Sequence, residues 1–455
     1  MAIELSKNEE LLARLDRIPI WPYRRRILVL IGAGFFFCFF DIITIGAAIP
    51  KLQVQWDLSE SILAWTITSS LVGYVIGEFI DGRIADRYGR RVALYISISL
   101  FSAGSILSAT SPNVWWLVGW RLLSGMGIGA EISGATSYLS EMAPRRIRGH
   151  VTALGVGCGF VGFAVVPFIS MALIPNFEWG WRALFIIGGV VAVIVFFMRR
   201  HMDETPRWLL ARGRIKEAQL IIEKAEQCAT RRLKKPLPPP EKSLDLGTVQ
   251  QSWWNLFKPP YLMCLILFAA IWSFYYIGNY AWLTLTAELY VKKGIGLPTA
   301  FLVQGVTSFG FIVGAVAAVF MSDRIERKWL AAIIALVWSF CLILVGWVPS
   351  TWLIMICGFA ASTTIAMFIP VMYTYTAEAF PIWGRATGIS LTDGIGHIAA
   401  AFCGQIVFGV SSLFRQSDYW FEAAFTTMAI TGLIAVVLLL FGPRKTGRSL
   451  DEGAS

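Results

Sequence analysis

Charge is scarce in this chain. Of its 455 residues only 15% are Asp, Glu, Lys or Arg, against 56% hydrophobic, and histidine occurs three times. A soluble domain covers its surface with charge, and at a mean hydropathy of +0.64 too much apolar side chain is present to hide in one core. The shortage excludes a soluble chain and makes a bilayer the solvent. A Gly-x-x-x-x-Gly-Lys-Ser/Thr phosphate loop is also missing, which argues against an ATP-driven pump. So is any metal-ligating cluster or nucleophile and base set, so neither a cofactor nor a membrane enzyme is expected. The seven cysteines lack ligand spacing: Cys38, Cys158, Cys264, Cys341, Cys357 and Cys403 fall in apolar runs and Cys228 in a basic stretch, so all read as reduced packing residues. No short apolar stretch with a small-residue cleavage site precedes the first long run, and no cleavable signal peptide is expected.

What is present is a series of long apolar runs. Runs of about 20 residues, the length that crosses a hydrocarbon layer, start near Ile27, Ile62, Val92, Val114, Val151 and Trp181. A second set starts near Tyr261, Pro298, Trp329, Thr351, Ala386 and Trp420. These predict an all-α membrane protein of twelve transmembrane helices in two six-helix bundles. The predicted division is an N-terminal segment (1–26), a first bundle (27–199), a linker (200–260), a second bundle (261–442) and a tail (443–455). Residues 213–232 of the linker show helical periodicity and predict an amphipathic brace. The net charge of +10 lies in short segments between runs, such as Arg24 to Arg26, Arg83 to Arg91, Arg145 to Arg148 and Arg444 to Arg448, with only Lys51, Lys292, Lys293 and Arg415 on the other side. That asymmetry fits the positive-inside rule with both termini cytoplasmic, and explains the basic balance better than nucleic acid does.

The chain also repeats itself. Asp86-Arg87-Tyr88-Gly89-Arg90-Arg91 follows the second run and Asp323-Arg324-Ile325-Glu326-Arg327-Lys328 the eighth, at an offset of 237 residues. Glu141, Pro144 and Arg148 follow the fourth run, and Glu378, Pro381 and Arg385 the tenth, at the same offset. Two unrelated motif pairs sharing one offset indicate a duplicated six-helix unit in parallel orientation, with a substrate site between the halves near mid-membrane.

The loop Gly82-Arg83-Ile84-Ala85-Asp86-Arg87-Tyr88-Gly89-Arg90-Arg91 resembles the signature of the major facilitator superfamily, and the resemblance extends over nearly the whole chain. Arg121 with Gly125-Met126-Gly127-Ile128-Gly129, Glu141-Met142-Ala143-Pro144 to Arg148-Gly149, and Glu204-Thr205-Pro206-Arg207-Trp208-Leu209 with Arg212-Gly213-Arg214 resemble its sugar-porter branch. The Gly-rich stretch ending in Glu131 is similar to that of nicotinate-transporter-like and synaptic-vesicle-protein-like proton symporters. The seventh run departs from sugar porters: Phe274-Tyr275-Tyr276-Ile277-Gly278-Asn279-Tyr280 lacks their glutamines, which argues against a hexose. The eleventh run carries Asp393 and His397 where related organic-acid carriers resemble Gly-Arg-Ile-Gly.

An ionisable group in hydrocarbon costs several kcal/mol unless paired or hydrated, so each one needs a reason. Asp41 lies roughly 12 Å from the outer end of the first run and Arg121 roughly 10 Å into the fourth, at about 1.5 Å per residue. The matched depths predict a pair that either exchanges protons or only fixes packing, and the resemblance to proton-coupled sugar porters, which carry an acid and an Arg in these helices, favours proton exchange. Glu131 reads as a second proton site, a substrate contact or a structural group, and Glu78 and Asp81 as members of a cytoplasmic charge network. Asp86, Arg87, Arg90, Arg91, Glu141, Arg148, Asp323, Arg324, Glu378 and Arg385 are expected to form a cytoplasmic gate that holds the halves together when the outside is open, or else only to set topology. The candidate pocket is Tyr275, Tyr276, Asn279, Gln304, Tyr373, Tyr375, Asp393 and His397, with packing or interfacial anchoring as the competing reading of each aromatic. The resulting expectation is a monomeric, multi-pass protein of the cell (plasma or inner) membrane. It would carry a small organic acid such as a nicotinate-like aromatic carboxylate with a proton by alternating access. A sugar symporter and a transporter-like receptor without net transport are the alternatives. Efflux ranks lower because the fifth run, with Gly157, Gly159, Gly162 and Pro167, lacks the Gly-Pro-x-x-Gly-Gly pattern of antiporters in the superfamily.

Overall fold

The computed structural model describes residues 7–200, 202–240, 253–259, 261–321, 325–381, 384–414 and 416–443. The first six spans are α2 (Arg25–Trp56), α3 (Glu60–Tyr88), α4 (Arg90–Ala109), α5 (Val114–Met142), α6 (Arg148–Leu173) and α7 (Gly180–Arg199). The second six are α10 (Tyr261–Lys292), α11 (Leu297–Met321), α12 (Arg327–Trp347), α13 (Thr351–Ala379), the broken span α14 (Arg385–Ala401) and α15 (Cys403–Ser412), and α16 (Trp420–Leu440). Outside them lie α1 (Lys7–Asp16), α8 (Pro206–Ala211) and α9 (Ile215–Leu233). Every span begins within three residues of the start that the apolar runs predict. Eleven stretches among the described residues are long and apolar enough to cross a bilayer. The twelfth, α5, is 29 residues long, and its apolar character is diluted by glycine, serine and the buried charges of Arg121 and Glu131.

The duplication recurs as packing. In the first half α3 packs on α5, α4 on α5, α2 on α6 and α4 on α7; in the second, α11 packs on α13, α12 on α13, α10 on α14 and α12 on α16. Individual bonds repeat as well. Arg90 Nε donates to Glu141 at 2.8 Å, and Arg327 Nη1 donates to Glu378 at 2.5 Å, both partners being displaced by the same 237 positions. Tyr138 donates its hydroxyl to the Asp203 carbonyl at 2.8 Å, and Tyr375, also 237 positions on, donates to the Pro443 carbonyl at 2.8 Å. Each half thus ties its fourth span to the chain leaving its sixth.

Close approach of α3 to α5 depends on glycine. A Cβ at Gly125 or Gly129 would strike the backbone carbonyls of Ser70 and Tyr74, so two glycines one turn apart bring two α3 side chains to where they are used below. With the basic loops placed in the cytoplasm, the halves meet on their outer sides. Lys292 on α10 donates to Glu60 on α3 at 2.5 Å, Thr68 on α3 donates to the Ala401 carbonyl at 2.7 Å, and Gly46 on α2 lies against the Thr284 backbone. The conformation is closed outside.

A second, smaller core lies on the cytoplasmic side. Leu11 and Leu15 of α1 and Ile18 after it join Ile222, Ala225 and Ala229 of α9 against Tyr138, Leu139 and Met142 at the inner end of α5. Glu226 clasps this unit, accepting from Arg14 at 2.7 Å and Arg17 at 2.6 Å, while Asp16 accepts from Arg207 at 2.7 Å. Burial alone would raise the Glu226 carboxyl, but the two guanidiniums more than offset this and hold it below the ordinary carboxylate value. A depressed acid stabilises the docked state above its unfolded pKa, and that stability is lost as pH falls through the folded one. The hydrogen-exchange protection factors of residues 7–16, corrected for the intrinsic pH dependence of amide exchange, are therefore expected to stay high through neutral pH and to fall on acidification below the usual Glu range, with Glu226→Gln already low at pH 7.

Candidate functional site

Within the first half, α2 presents Asp41 and α5 presents Arg121, and the two form a direct salt bridge with both side chains at most 1% exposed. Ser105 of α4 donates to Asp41 Oδ1 at 3.0 Å and Ser124 of α5 to Oδ2 at 3.2 Å. Arg121 also donates to Ser70 of α3 at 2.9 Å, under the ring of Phe185 on α7 at 5.4 Å. The carboxylate thus accepts from a guanidinium and two hydroxyls, while Arg121 Nε, equally buried, has no partner within the protein. Such a group cannot ionise alone in hydrocarbon, and protonating it would free the guanidinium.

In the second half α14 presents Asp393 and His397 on one face, Nδ1 of His397 standing 3.3 Å from Asp393 Oδ2. Asp393 Oδ1 accepts from Tyr276 of α10 at 2.9 Å and from Tyr373 of α13 at 2.8 Å. Nε2 of His397 shares a hydrogen bond of 3.1 Å with the Tyr280 hydroxyl. Its ring is stacked on Tyr74 of α3, 4.3 Å between centroids at 13°, so this cluster spans both halves. Glu78, one turn on from Tyr74, lies within electrostatic reach of Asp393 and His397, and is not simply part of a cytoplasmic network. Asn279 on α10 and Gln304 on α11 are buried with amide oxygens that have no protein partner, as expected of side chains that would bind a ligand.

Other sequence candidates sit elsewhere. Tyr275 stacks on Phe368 at 3.6 Å and packs on Trp338 of α12, inside the second half and away from the first. Tyr375 is the repeat counterpart of Tyr138 and tethers the chain after α16, whereas the buried Tyr275 hydroxyl, like the amide oxygens of Asn279 and Gln304, has no partner within the protein. Glu131 forms a fully buried pair with Arg199 at the end of α7, and Ser97 of α4 donates to it at 2.7 Å. Arg199 also reaches the Leu30 carbonyl of α2 at 3.3 Å, so the pair fastens four spans of one half together and leaves no exposed carboxylate. Asp81 is likewise buried, accepting from Ser133 at 3.1 Å.

In this outside-closed conformation the described residues of the expected cytoplasmic gate are bonded within each half. Arg90 joins Asp86 at 2.6 Å as well as Glu141, Arg91 donates to the Arg200 carbonyl at 2.8 Å, and Arg148 stands 3.9 Å from Asp16. Arg87 lies over the Tyr88 ring at 5.4 Å, Arg327 pairs with Glu378, and Arg385 donates to the Ala377 carbonyl at 2.8 Å. Asp323 and Arg324 lie outside the described residues. Each of these described bonds stays within one half, because the halves are joined on the outer side in this conformation; among the described residues Lys292 with Glu60 is an ion pair that crosses between them. Glu204 accepts from the Arg90 and Arg91 amides at 3.0 and 3.2 Å, an acid at the N-terminus of α4 that the sequence offered only as part of a motif. Arg199, Tyr74 and Tyr280 were also missed, though the i, i+4 spacing of Tyr276 and Tyr280 and the 237-residue offset were available signals.

Two pseudo-equivalent six-helix halves that meet at the Asp393–His397 cluster, with an Asp41–Arg121 pair buried in the first, define a membrane carrier of the major facilitator type. The chain belongs to the sugar (and other) transporter family, whose profile matches residues 26–453. It is 29% identical over 440 residues to the putative metabolite transport protein YyaJ of Bacillus subtilis, covering 96% of each chain. It is 25% identical to the niacin transporter NiaP of Acinetobacter baylyi, over 97% of this chain and 99% of that one. It is 29% identical to the 4-hydroxybenzoate transporter PcaK of Pseudomonas aeruginosa, over 89% and 90%. A D-xylose–proton symporter of known structure shares the fold with a TM-score of 0.74 at 19% identity, covering 92% of this chain and 98% of the other. The protein is a multi-pass transporter of the cell membrane for a small molecule, and not an enzyme.

The Glu131–Arg199 pair yields a stability prediction. Arg199→Met strands a buried carboxylate and is expected to cost about 3–5 kcal/mol, and Gly34→Ala, whose Cβ would strike both side chains, should also lower the melting temperature. The double variant Glu131→Gln/Arg199→Met should recover most of the loss in thermal unfolding. A double variant as unstable as Arg199→Met would show that pairing is not what the carboxylate requires.

Proposed function

We propose that this transporter is a proton-coupled symporter that takes up a small organic acid, of the aromatic carboxylate class, by alternating access. The observation that carries the reading is Asp41 held by Arg121, Ser105 and Ser124 with no exposure to solvent. A carboxylate so placed exchanges its proton only when water reaches it, and each exchange changes what Arg121 is free to bind. With Asp41 protonated, the guanidinium and its unpartnered Nε–H can accept a negative charge; with Asp41 ionised they cannot. Loading of proton and anion is therefore mutually favourable, and by linkage the favourable effect is reciprocal.

Tyr276, Tyr373, Asn279, Gln304, Asp393 and His397 form the substrate side of the site, with Tyr280 and Tyr74 added from the structure. The halves 27–199 and 261–442 rock about it, joined by the linker 200–260, and the monomer suffices because each half supplies one side of the pathway. Arg90 with Glu141 and Arg327 with Glu378 brace the inner ends of the two halves as repeat counterparts. Niacin and 4-hydroxybenzoate, named for two relatives, are the substrate class that Arg121 and an aromatic-lined site suit. A sugar is the second reading, favoured by the fold shared with a D-xylose–proton symporter and opposed by the absence of glutamine from the Phe274 to Tyr280 stretch.

Proteoliposomes with an imposed inward proton gradient test this. Nicotinate or 4-hydroxybenzoate is expected to accumulate above its equilibrium level. Asp41→Asn should abolish accumulation while counterflow exchange persists, because a fixed neutral side chain still binds and reorients but carries no proton. Accumulation of xylose or glucose instead would replace the acid by a sugar, and accumulation of none would make the chain a binder without transport.

A further inference from the structure

The 237-residue repeat extends into two of the seams where the halves touch, and there its symmetry fails. One seam lies between α6 and α11: Phe160 is stacked with Phe311 at 5.9 Å, and Gly305 lies against the Phe168 ring. The other lies between α3 and α14/α15: Tyr74 is stacked on His397 at 4.3 Å, and Gln405 donates to Thr68 at 2.7 Å. These are the same contacts in duplicate. Phe311 is the counterpart of Tyr74, Phe160 of His397, Gly305 of Thr68 and Phe168 of Gln405, each 237 positions apart. A packing contact needs only the apolar version, which the first seam shows to be sufficient.

We propose that the Tyr74–His397 contact is a proton-responsive clasp between the halves, with the α6/α11 seam as its insensitive counterpart. On α14 His397 is faced by Asp393; α10 adds the hydroxyls of Tyr276 and Tyr280; α13 adds Tyr373, which reaches Asp393; and α3 adds the Tyr74 ring and Glu78. Asp393 travels with His397, but Tyr74 and Glu78 belong to the other half. With a neutral imidazole, two carboxylates face one another across the seam. With an imidazolium, the cation pairs with Asp393 on its own helix, lies within electrostatic reach of Glu78 and stacks on the face of the Tyr74 ring, and the last two attractions exist only while the seam is closed. Protonation thus favours the outside-closed arrangement, by as much as the two arrangements differ in proton affinity.

The inference rests on alternating access as read above, but neither on Asp41 as the coupling acid nor on any substrate. Its test needs no ligand. Spin labels at Ser61→Cys and Leu413→Cys, exposed positions at the outer ends of α3 and α15, report seam closure in a background with the native cysteines replaced. In lipid nanodiscs, lowering the pH from about 8 to about 5 is expected to raise the closed-to-open ratio about tenfold, the factor that a one-unit difference in proton affinity gives. Asp41→Asn should keep that response, which separates this clasp from the coupling acid. In a Glu78→Gln background, which removes the titrating carboxylate on α3, Tyr74→Phe/His397→Phe recreates the pair used at the other seam and should fold but show a ratio independent of pH. His397→Gln, which does not titrate, should do the same in that background, and hydrogen exchange at the outer end of α3 in the native-cysteine protein gives an independent reading. A pH-independent ratio in the parent protein, or a response that survives both His397 variants, would overturn the proposal.

Discussion

Burying ionised groups where water is absent is the constraint on which the rest of this structure depends. Hydrocarbon penalises an unpaired charge, and three of the buried acids inside the spans have a basic partner together with hydroxyl donors. Asp41 has Arg121 with Ser105 and Ser124, Glu131 has Arg199 with Ser97, and Asp393 has His397 with Tyr276 and Tyr373. Helix packing follows from these demands. The glycines of α5 let α3 come close enough for Ser70 to reach Arg121, and Gly34 leaves room on α2 for the Glu131–Arg199 pair.

The three clusters differ in what surrounds them. Glu131 and Arg199 are enclosed by four spans of one half, an arrangement suited to fixing those spans. Asp41 and Arg121 are also within one half, joined by hydroxyls of three spans, and Nε is without a protein partner in Arg121 and Arg199 alike. The Asp393 cluster reaches the other half through Tyr74, so its charge state bears on how the halves sit together. One duplicated unit has thereby supplied two buried ion pairs within the first half and a polar cluster at the seam, by substitution at positions whose counterparts lack charge.

Much of this was legible in the residues. Apolar runs located the spans to within three residues, because crossing a bilayer demands a length and an apolarity that few other structures share. The offset of 237 revealed the duplication, and matched depths in the first and fourth runs brought Asp41 and Arg121 together. Rotation about each helix axis was not legible. Spans so apolar throughout give no face to orient by, so Tyr275 and Tyr276, adjacent in sequence, were both assigned to the pocket although Tyr275 packs on Phe368 and Trp338. Glu131 could not be matched to Arg199 because they lie 68 positions apart and the arginine ends a span, where a charge looks unremarkable.

By itself, then, the sequence determined the solvent, the number of spans, the orientation and the repeat, since each follows from composition or spacing along one dimension. Only the tertiary structure decided which polar groups meet, on which side the halves are closed, and that the cytoplasmic ion pairs described brace each half separately. Those outcomes depend on helix rotation and on the relative position of two bundles, and a bilayer that is uniformly apolar leaves no trace of either in the order of the residues.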